Sequence, residues 1–317
     1  MSDFLKTAFD YESMQLKCLY RNEDIALVQT GVEDEHLRTV YSAPLKFPVH
    51  PQDRPYLYCS LVTSVDGRIA FPDAAEGPFI ASKSYLAKEG SAADWYTLNV
   101  LRASADAILF GAATLHNEPS GTGHVYDASL EESRVRMGMQ EIPWNIIPTL
   151  DGSDVPFHHI EFTCGKIPVI FYTTPKGVQR CVHNSRKACG EIIDDLGCKR
   201  ADRRSSRKKT SIVVTGADVM DNVLGMRMLK TLGLQRILVE SPSLTHLLLQ
   251  DALLDEMFLN YSCVYLGGDA LTIGKHFQSF DSVHHPHTSL ISVYLHSSHY
   301  MYLRHKVLYG IGEGREE

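Results

Sequence analysis

The stretch from Ile237 to Gly268, which reads ILVESPSLTHLLLQDALLDEMFLNYSCVYLGG, predicts the fold class of this chain. It begins with a short apolar run, passes through a polar turn into apolar residues at helical spacing, and ends in a second apolar run. Ser241 and Pro242 are preferred residues at the N-cap and the first position of a helix, so they predict a helix over residues 244–254. The order strand, turn, helix, strand is typical of an α/β protein.

The turn from Ser241 to Thr245 is a candidate phosphate site. In an open α/β sheet, ligands bind beyond the carboxyl ends of the strands. A helix that begins there presents backbone N–H groups and the positive end of its dipole to an anion. On this stretch alone, an ordinary buried unit without a ligand is an equally good interpretation.

Length and composition limit the function classes. The chain has 317 residues, more than one average domain, although a single α/β domain with insertions reaches this size. Hydrophobic residues make up 44% and charged residues 22%, which is typical of a globular protein. The net charge of -7 gives no general attraction to nucleic acid or to an anionic membrane, so we expect neither partner.

The cysteines and the N-terminal sequence bear on the compartment. The seven cysteines are scattered and form no CxxC pair, which favours reduced thiols over a disulfide scaffold. Cys181, His183, Cys189 and Cys198 match no standard zinc spacing, so we expect no metal site. The first residues lack the apolar core of a signal peptide, and no apolar run is long enough to span a bilayer. We therefore expect a cytoplasmic protein.

Composition shifts predict the domain boundaries. Residues 1–50 have mixed charge and weak periodicity, and prolines follow at positions 44, 48, 51 and 55. We predict an N-terminal extension over 1–50, packed on or strapped across one main domain over 51–312. An enlarged insertion near 176–209 contains a basic run over 199–209, which we interpret as a charged surface loop. Contact with the 2′-phosphate of NADP or with nucleic acid is the alternative for this run.

The apolar patterns predict the remaining elements. Strands are predicted over Tyr56–Val62, Ala107–Phe110, Pro168–Thr173 and Ser211–Thr215, with a C-terminal hairpin over Leu290–Leu295 and Tyr300–Val307. Helices are predicted from an N-cap at Ser91, around Arg186–Leu196 and over Met220–Leu232. Residues 118–167, which are polar and rich in Pro and Gly, are predicted to be a long loop with one short strand near Ile160–Phe162.

Polar residues follow two of the predicted strands. Asp66 and Gly67 form a turn pair just after the strand that begins at Tyr56, and turn chemistry alone is one explanation of this aspartate. The strand that ends at Phe110 leads into Gly-Ala-Ala and then Thr114. Small residues let the backbone approach a ligand, and the hydroxyl of Thr114 can donate to a phosphate or ribose oxygen. A tight loop without a ligand is the alternative interpretation.

Three segments in order resemble the reductase domain of riboflavin biosynthesis, a member of the dihydrofolate-reductase-like superfamily. They are TSVDGRIA at 63–70; LRA at 101–103 with DAIL at 106–109 and Thr114; and Val239-Glu240 with LLDE at 253–256 and LGG at 266–268. The resemblance extends over about residues 55–270. As an ordered set, these segments are far more specific than any one of them.

The resemblance implies a fold and an activity. The fold is a mostly parallel sheet flanked by helices, with a C-terminal antiparallel hairpin. The implied reaction is the NADPH-dependent reduction of the ribosyl group of a ribosylaminopyrimidine 5′-phosphate to ribityl. The implied partners are this small phosphorylated substrate and a second copy of the chain, because members of the family commonly form homodimers.

The resemblance also assigns roles residue by residue. The implied cofactor contacts are Thr63, Thr114, Glu118, Ser241, Pro242, Ser243, Leu244 and Thr245. Asn117 is the alternative to Glu118, because one residue is missing before Pro119. Arg102 corresponds to an arginine that meets substrate phosphate or sugar. Glu240 and Asp66 are the ionisable groups expected nearest the sugar, where either steers hydroxyls or relays a proton.

The chain departs from the family pattern at one turn. The usual Glu-Gly-Gly is replaced by Glu240-Ser241-Pro242, which adds bulk where the backbone approaches the pyrophosphate. A non-catalytic relative that binds a nucleotide or a partner without turnover is therefore the alternative function. The chain also lacks a P-C-x-x-C motif, so we do not expect the deaminase activity of the bifunctional bacterial enzyme.

Overall fold

The computed structural model describes residues 4–185, 189–194 and 210–310. These residues form two compact units. Unit 1 contains the described residues up to Thr7, His50–Tyr56 and Arg102–Ser241. Unit 2 contains Ala8–Val49, Leu57–Leu101 and the described residues from Pro242 onward.

The described strands lie in the following order along the chain. They are β1 Lys17–Arg21, β2 Gln29–Thr30, β3 Lys46–Phe47, β4 Tyr56–Thr63, β5 Ala107–Leu109, β6 Trp144–Thr149, β7 Val169–Thr173, β8 Cys189–Ile193, β9 Thr210–Val214, β10 Arg236–Val239, β11 Glu256–Ser262, β12 His287–Ser297 and β13 Tyr300–Leu308.

The described helices alternate with many of these strands. They are α1 Glu35–Tyr41, α2 Phe79–Ser82, α3 Lys88–Ser104, α4 Ala112–Asn117, α5 Ala128–Arg136, α6 Ile160–Thr163, α7 Val178–Asn184, α8 Asn222–Thr231 and α9 Pro242–Gln250.

Unit 1 contains a parallel sheet with the strand order β10-β5-β6-β7-β9-β8. Every residue of β7, β9 and β10 is buried. Helices cover both faces of a parallel sheet, which is why these strands read as continuous apolar or β-branched runs. Because the strands run in one direction, their carboxyl ends lie along one edge of the sheet.

Unit 2 contains the strand order β1-β12-β13-β11-β4, in which β11 and β4 are parallel and the other neighbours are antiparallel. The long hairpin of β12 and β13 is the predicted C-terminal hairpin. In β11 buried and half-buried residues alternate strictly, as expected for a strand with one face on the core. The predicted class, a mostly parallel α/β sheet flanked by helices with a C-terminal antiparallel hairpin, is confirmed.

Several local predictions are wrong. The predicted loop over 118–167 contains helix α5 and strand β6, and the segment near Ile160 is a helical turn because His159 Nδ1 accepts from the backbone N–H of Glu161. Ser91 is not an N-cap, since α3 begins at Lys88 and the Ser91 N–H already donates to the carbonyl of Ala87.

The segment between β7 and β9 also differs from its prediction. Residues 189–193 form strand β8, which pairs with β9, and not the predicted helix around Arg186–Leu196. The basic run over 199–209 lies outside the described residues. Helix α9 begins at Pro242, as the Ser-Pro turn predicted, but ends at Gln250 because Ala252 adopts a left-handed conformation with φ 54.

Within the described residues no helix is long and apolar enough to cross a bilayer. The same residues contain no group of three or more His, Cys, Asp or Glu side chains with metal-binding geometry.

Candidate active site

The carboxyl ends of β5 and β10 lie side by side in unit 1. Val239 is in register with Leu109, and the N–H of Glu240 donates to the carbonyl of Leu109 over 2.8 Å. Glu240 and Ser241 therefore leave one strand beside Gly111, which leaves the other. A Cβ on Gly111 would lie 3.8 Å from the Ser241 hydroxyl oxygen, an ordinary van der Waals distance.

Arg102 and Glu240 form a buried ion pair. Arg102 Nε donates to Glu240 Oε1 over 2.7 Å, and Nη2 donates to Oε2 over 2.6 Å. The two side chains are only 9% and 11% exposed. Burial opposes the charge of Arg102, but attraction and hydrogen bonding from Glu240 outweigh it, so the pKa of the guanidinium lies above its ordinary value. This paired geometry fixes the carboxylate in position.

The remaining side of the guanidinium binds the loop before α5. Arg102 Nη1 donates to the carbonyls of Thr122 and His124, and the ring of Tyr126 lies 5.8 Å from the guanidinium carbon. Gly123 lies at the centre of this loop, where a Cβ would be 1.7 Å from Asn145 Oδ1. Only glycine therefore permits the close approach that places these two carbonyls on Arg102.

Residues near the N-terminus pack on the same loop. His124 Nε2 lies 2.9 Å from the carbonyl of Leu5 and therefore donates to it, so Nδ1 accepts from the Thr122 hydroxyl at 2.6 Å. Burial lowers the pKa of His124 to about 4, which keeps the ring neutral at neutral pH. Phe4 stacks on this ring at 4.9 Å, and Lys6 pairs with the buried Glu131 at 2.6 Å.

Thr114 and Glu118 lie on α4 and just after it. Thr114 is half-buried, and its hydroxyl forms no hydrogen bond with the described part of the chain, so it is available to a ligand. The backbone of Glu118 closes the helix through its N–H to the Thr114 carbonyl at 2.8 Å. His159 Nε2 donates to the Glu118 carbonyl at 3.1 Å, and the Glu118 side chain lies over Gly121.

The residues after Ser241 form the first turn of α9 in unit 2. Ser243 is exposed and Pro242 half-buried, whereas Leu244 and Thr245 are buried. The Thr245 hydroxyl hydrogen-bonds the thiol of Cys59, whose pKa is raised to about 12 by burial. Of the predicted cofactor contacts on this helix, the backbone and the Ser243 side chain are the accessible groups.

Asp66 organises the turn that follows β4 in unit 2. Its carboxylate accepts from the Ser64 hydroxyl at 2.6 Å and from the N–H groups of Leu266 and Gly267 at 3.3 and 2.8 Å. Hydrogen bonds from Ser64 and these backbone groups lower the pKa of Asp66 to about 2. The carboxylate thus joins the turn after β4 to the loop after β11.

Thr63, the last residue of β4, differs from its neighbours. It is 3% exposed, and its Oγ1 has no hydrogen-bond partner among the residues that the structure describes. A buried hydroxyl without a partner costs free energy, on the order of 1–3 kcal/mol. It is one of several buried polar atoms without a partner among the described residues, and a ligand bound at the end of β4 would satisfy it.

A protein-family model matches most of the chain. Residues 55–295 match the model of the RibD C-terminal domain. The chain belongs to the RibD C-terminal domain family. Members of this family are pyridine-nucleotide-dependent reductases of riboflavin biosynthesis. No curated protein matches the sequence.

Solved structures show that the fold is that of a RibD reductase domain. A pyrimidine reductase-like protein from Corynebacterium diphtheriae has 16% identity and a TM-score of 0.57, with 81% of this chain and 94% of that chain covered. RibD from Acinetobacter baumannii has 16% identity and a TM-score of 0.53, with 81% and 59% covered. A deaminase/reductase from Thermotoga maritima has 17% identity and a TM-score of 0.50, with 80% and 56% covered. The chain thus spans less than two thirds of the length of the Acinetobacter baumannii and Thermotoga maritima proteins.

Sequence reasoning missed the groups that surround Arg102. Thr122, His124 and Tyr126 lie in a region predicted as loop, and Leu5 lies in the predicted extension. Gly123 was the one residue in the sequence that could have indicated this close packing. Glycine is too common in polar loops, however, to predict a close contact by itself.

Proposed function

We propose that this RibD C-terminal domain is an NADPH-dependent reductase that converts the ribosyl group of a ribosylaminopyrimidine 5′-phosphate to ribityl. The observation that carries the proposal is the Arg102–Glu240 pair at the adjoining carboxyl ends of β5 and β10, with Thr114 on the helix that follows β5. Family membership supplies the reaction type. The identities of the cofactor, NADPH, and of the substrate are part of the proposal.

Each unit by itself carries groups suited to cofactor binding. The unpartnered Thr63 hydroxyl in unit 2 and the available Thr114 hydroxyl in unit 1 are each suited to a cofactor oxygen. The first turn of α9, a nine-residue helix, suits a phosphate through its backbone. Glu118, Ser241, Pro242, Ser243, Leu244 and Thr245 are proposed to complete these contacts. Bound NADPH would supply the hydride.

Glu240 is proposed to orient the sugar. Arg102 donates to both of its oxygens, which fixes the carboxylate in an orientation where it can accept hydrogen bonds from substrate hydroxyls. Arg102 Nε and Nη2 donate to Glu240, and Nη1 donates to the carbonyls of Thr122 and His124. We therefore assign Arg102 first to positioning Glu240, and its predicted contact with the substrate phosphate stays a prediction.

Asp66 is proposed to hold a loop and not to transfer a proton near neutral pH. A group with a pKa of about 2 is poorly matched to proton transfer at pH 7. Its three hydrogen bonds keep the turn after Thr63 in place and so support the proposed Thr63 contact.

A non-catalytic nucleotide-binding relative is the second candidate. The Ser241-Pro242 turn and the fully engaged Arg102 favour it, because both reduce the groups that face a ligand. Titration of NADPH into the protein by calorimetry, followed by a substrate screen for NADPH consumption, separates the two. Binding with consumption supports the reductase. Binding without consumption supports the relative, and no binding at millimolar NADPH excludes the reductase.

We also propose a homodimer. In register on one face of unit 2 lie the partly exposed, uncharged side chains of Leu259, Leu303 and Val293, with Tyr261, Met301 and Leu295 in the next row. Such a face is self-complementary about a twofold axis. Light scattering should give twice the chain mass, and Leu259→Glu should give a monomer, whereas Thr288→Glu on an exposed position should not. A monomeric wild-type protein would contradict the proposal.

A further inference from the structure

Unit 2 contains a cavity whose lining includes none of the predicted site residues. Its volume is about 470 Å³, within the range of small-molecule pockets. Residues 21–46, which we call the strap, form its roof, α3 forms one wall, and β11, β12 and β13 form its floor. The strap precedes residues 55–295, which match the family model, so the roof is a feature of this chain outside the matched domain.

Strand register defines the floor. Two cross-strand rows lie side by side: Phe258–Arg304–Ser292 and Asn260–Tyr302–Tyr294. All six residues line the cavity. Alternate residues of a strand point to the same face, so these side chains form one surface. That surface combines three aromatic rings with three polar groups.

Arg304 supplies an unsatisfied donor. The residue is 8% exposed, and its Nε and Nη2 donate to Glu256, while Nη2 also donates to the Lys46 carbonyl at 2.7 Å. The rings of Phe47 and Phe258 lie 5.3 and 4.9 Å from the guanidinium carbon. Nη1 has no hydrogen-bond partner among the described residues. Because Arg304 lines the cavity, Nη1 is a donor that a ligand bound there could use.

Asn260 and Ser292 supply the complementary groups. The Asn260 amide nitrogen donates to Asp94 at 2.6 Å, which leaves its carbonyl oxygen as an acceptor. The Ser292 hydroxyl has no partner within the described part of the chain. These residues are only 2% and 7% exposed, so their polar groups serve the cavity and not bulk solvent.

Charge decides the class of ligand. Glu256 balances the charge of Arg304 at the floor, and the other charged lining residues, Arg21, Glu23 and Lys46, are exposed. An anion buried at the floor would therefore lie there without an unpaired cation to compensate it. The rings of Tyr294, Tyr302 and Phe258 favour a planar ring. We propose that this cavity binds a neutral, planar heteroaromatic lactam whose ring carbonyl accepts from Arg304 Nη1 and whose ring N–H donates to Asn260 Oδ1. This site is independent of the proposed reductase activity.

The ligand class can be tested with two related probes. Phenanthridinone is a neutral tricyclic lactam, and phenanthrene carboxylate is an anion of similar size. Fluorescence titration of the full chain should show saturable binding of phenanthridinone and binding at least about 10-fold weaker for the carboxylate. Failure of phenanthridinone to bind, or tighter binding of the carboxylate, would overturn the proposed class.

Two pairs of variants locate the binding site. Ala43→Trp fills the cavity from the strap and should weaken phenanthridinone binding at least about 10-fold, whereas Val49→Trp, at a 65% exposed position outside the cavity, should not. Ser292→Ala removes one hydrogen-bonding group and should weaken binding about 3- to 10-fold, with Ser289→Ala as its control on the same strand.

Hydrogen exchange gives a readout that needs no variant. Phenanthridinone should slow amide exchange in the strap of the wild-type protein. Binding that leaves strap exchange unchanged, or that survives both Ala43→Trp and Ser292→Ala, places the ligand elsewhere and overturns the proposal. If Ala43→Trp fails to fold, the Ser292→Ala result and the exchange result decide the question.

Discussion

Two buried arginine–glutamate pairs in this chain have similar geometry and different surroundings. Arg102 and Glu240 lie at the carboxyl end of β10 in unit 1, with the carboxylate 11% exposed. Arg304 and Glu256 join β13 to the beginning of β11 in unit 2, with the carboxylate fully buried. Each arginine binds its glutamate through Nε and Nη2. Geometry alone therefore does not distinguish a functional pair from a structural one.

Position in the sheet and surroundings do distinguish them. The carboxyl edge of parallel strands is where α/β proteins bind ligands, and Glu240 lies there beside Ser241 and Thr114. Glu256 lies at the amino end of its strand, and its partner lies between two phenylalanine rings. We therefore assign catalysis to the first pair and stability to the second, and the predictions below test that assignment.

The largest expected effect is on stability. Glu256→Gln leaves the charge of Arg304 buried without compensation and should lower the free energy of unfolding by about 3–5 kcal/mol. Urea denaturation measures it. The control is Glu132→Gln, which removes an exposed ion pair with Arg136 at 3.9 Å and should change the free energy by less than about 1 kcal/mol. Equal effects of the two substitutions would contradict a structural role for Glu256.

The next effect is on turnover. Glu240→Gln removes the charged acceptor proposed to orient the sugar and should lower kcat/KM by about 100-fold. The NADPH dissociation constant should change little, because Glu240 is assigned to the substrate. Glu256→Gln, compared per folded molecule, should retain most of the turnover. If both variants lose turnover alike, the distinction between the two pairs fails.

A smaller effect is expected on the affinity for NADPH. Thr114→Val removes one available hydroxyl and should raise the NADPH dissociation constant about 3- to 10-fold, the equivalent of one net hydrogen bond. Calorimetric titration measures the change, with Thr288→Val on an exposed part of β12 as the control. Arg102→Ala should instead weaken the phosphorylated substrate more than NADPH. Equal effects of Thr114→Val and Arg102→Ala on both ligands would remove the assigned roles.

The smallest effect concerns a third, half-buried pair in unit 2, where Arg68 Nε lies 3.5 Å from Asp66 Oδ2. The folded-state pKa of Asp66, about 2, is below its ordinary value of 3.8, so its contribution to stability is present above about pH 4 and is lost as the pH falls through 2. Thermal unfolding of wild type and Asp66→Asn should therefore differ at pH 6 and converge near pH 2. A difference that persists undiminished at pH 2 would show that another property of the side chain is responsible.

The Ser241-Pro242 turn allows a separate test of NADPH binding at the carboxyl edge of the sheet. Ser241→Gly combined with Pro242→Gly should tighten NADPH binding, because the backbone then approaches the pyrophosphate more closely, at some cost in stability from two flexible residues. The NADPH dissociation constant and the free energy of unfolding are measured on the same preparation. Destabilisation without tighter binding would favour the non-catalytic relative.

The sequence predicted the elements whose signals are local. Strands β4, β5, β7, β9 and β10 are runs of apolar or β-branched residues, and the Ser241-Pro242 start signal placed α9 correctly at its beginning. Strand β6 was missed because Pro148 lies inside it, and proline is unusual in a strand with neighbours on both sides. Strand β8 acquires its conformation from pairing with β9, which a local pattern does not reveal.

The site was predictable only in part for a related reason. The family motifs identify Glu240 and Arg102, but the pairing of Arg304 with Glu256 follows from strand register across 48 positions, which no motif records. The contact of Leu5 with His124 spans 119 positions. Such contacts depend on tertiary packing, which a local sequence pattern does not reveal.

Transfer of deuterium from NADPH to the product is the most direct test of the proposed reductase activity. The protein is incubated with the ribosylaminopyrimidine 5′-phosphate and, in separate reactions, with each of the two NADPH forms that carry deuterium on one face of the reactive nicotinamide carbon. A reductase should give a ribityl product that gains one deuterium from one form only, and Glu240→Gln should suppress its formation. Binding of NADPH with no labelled product from either form would contradict the reductase assignment.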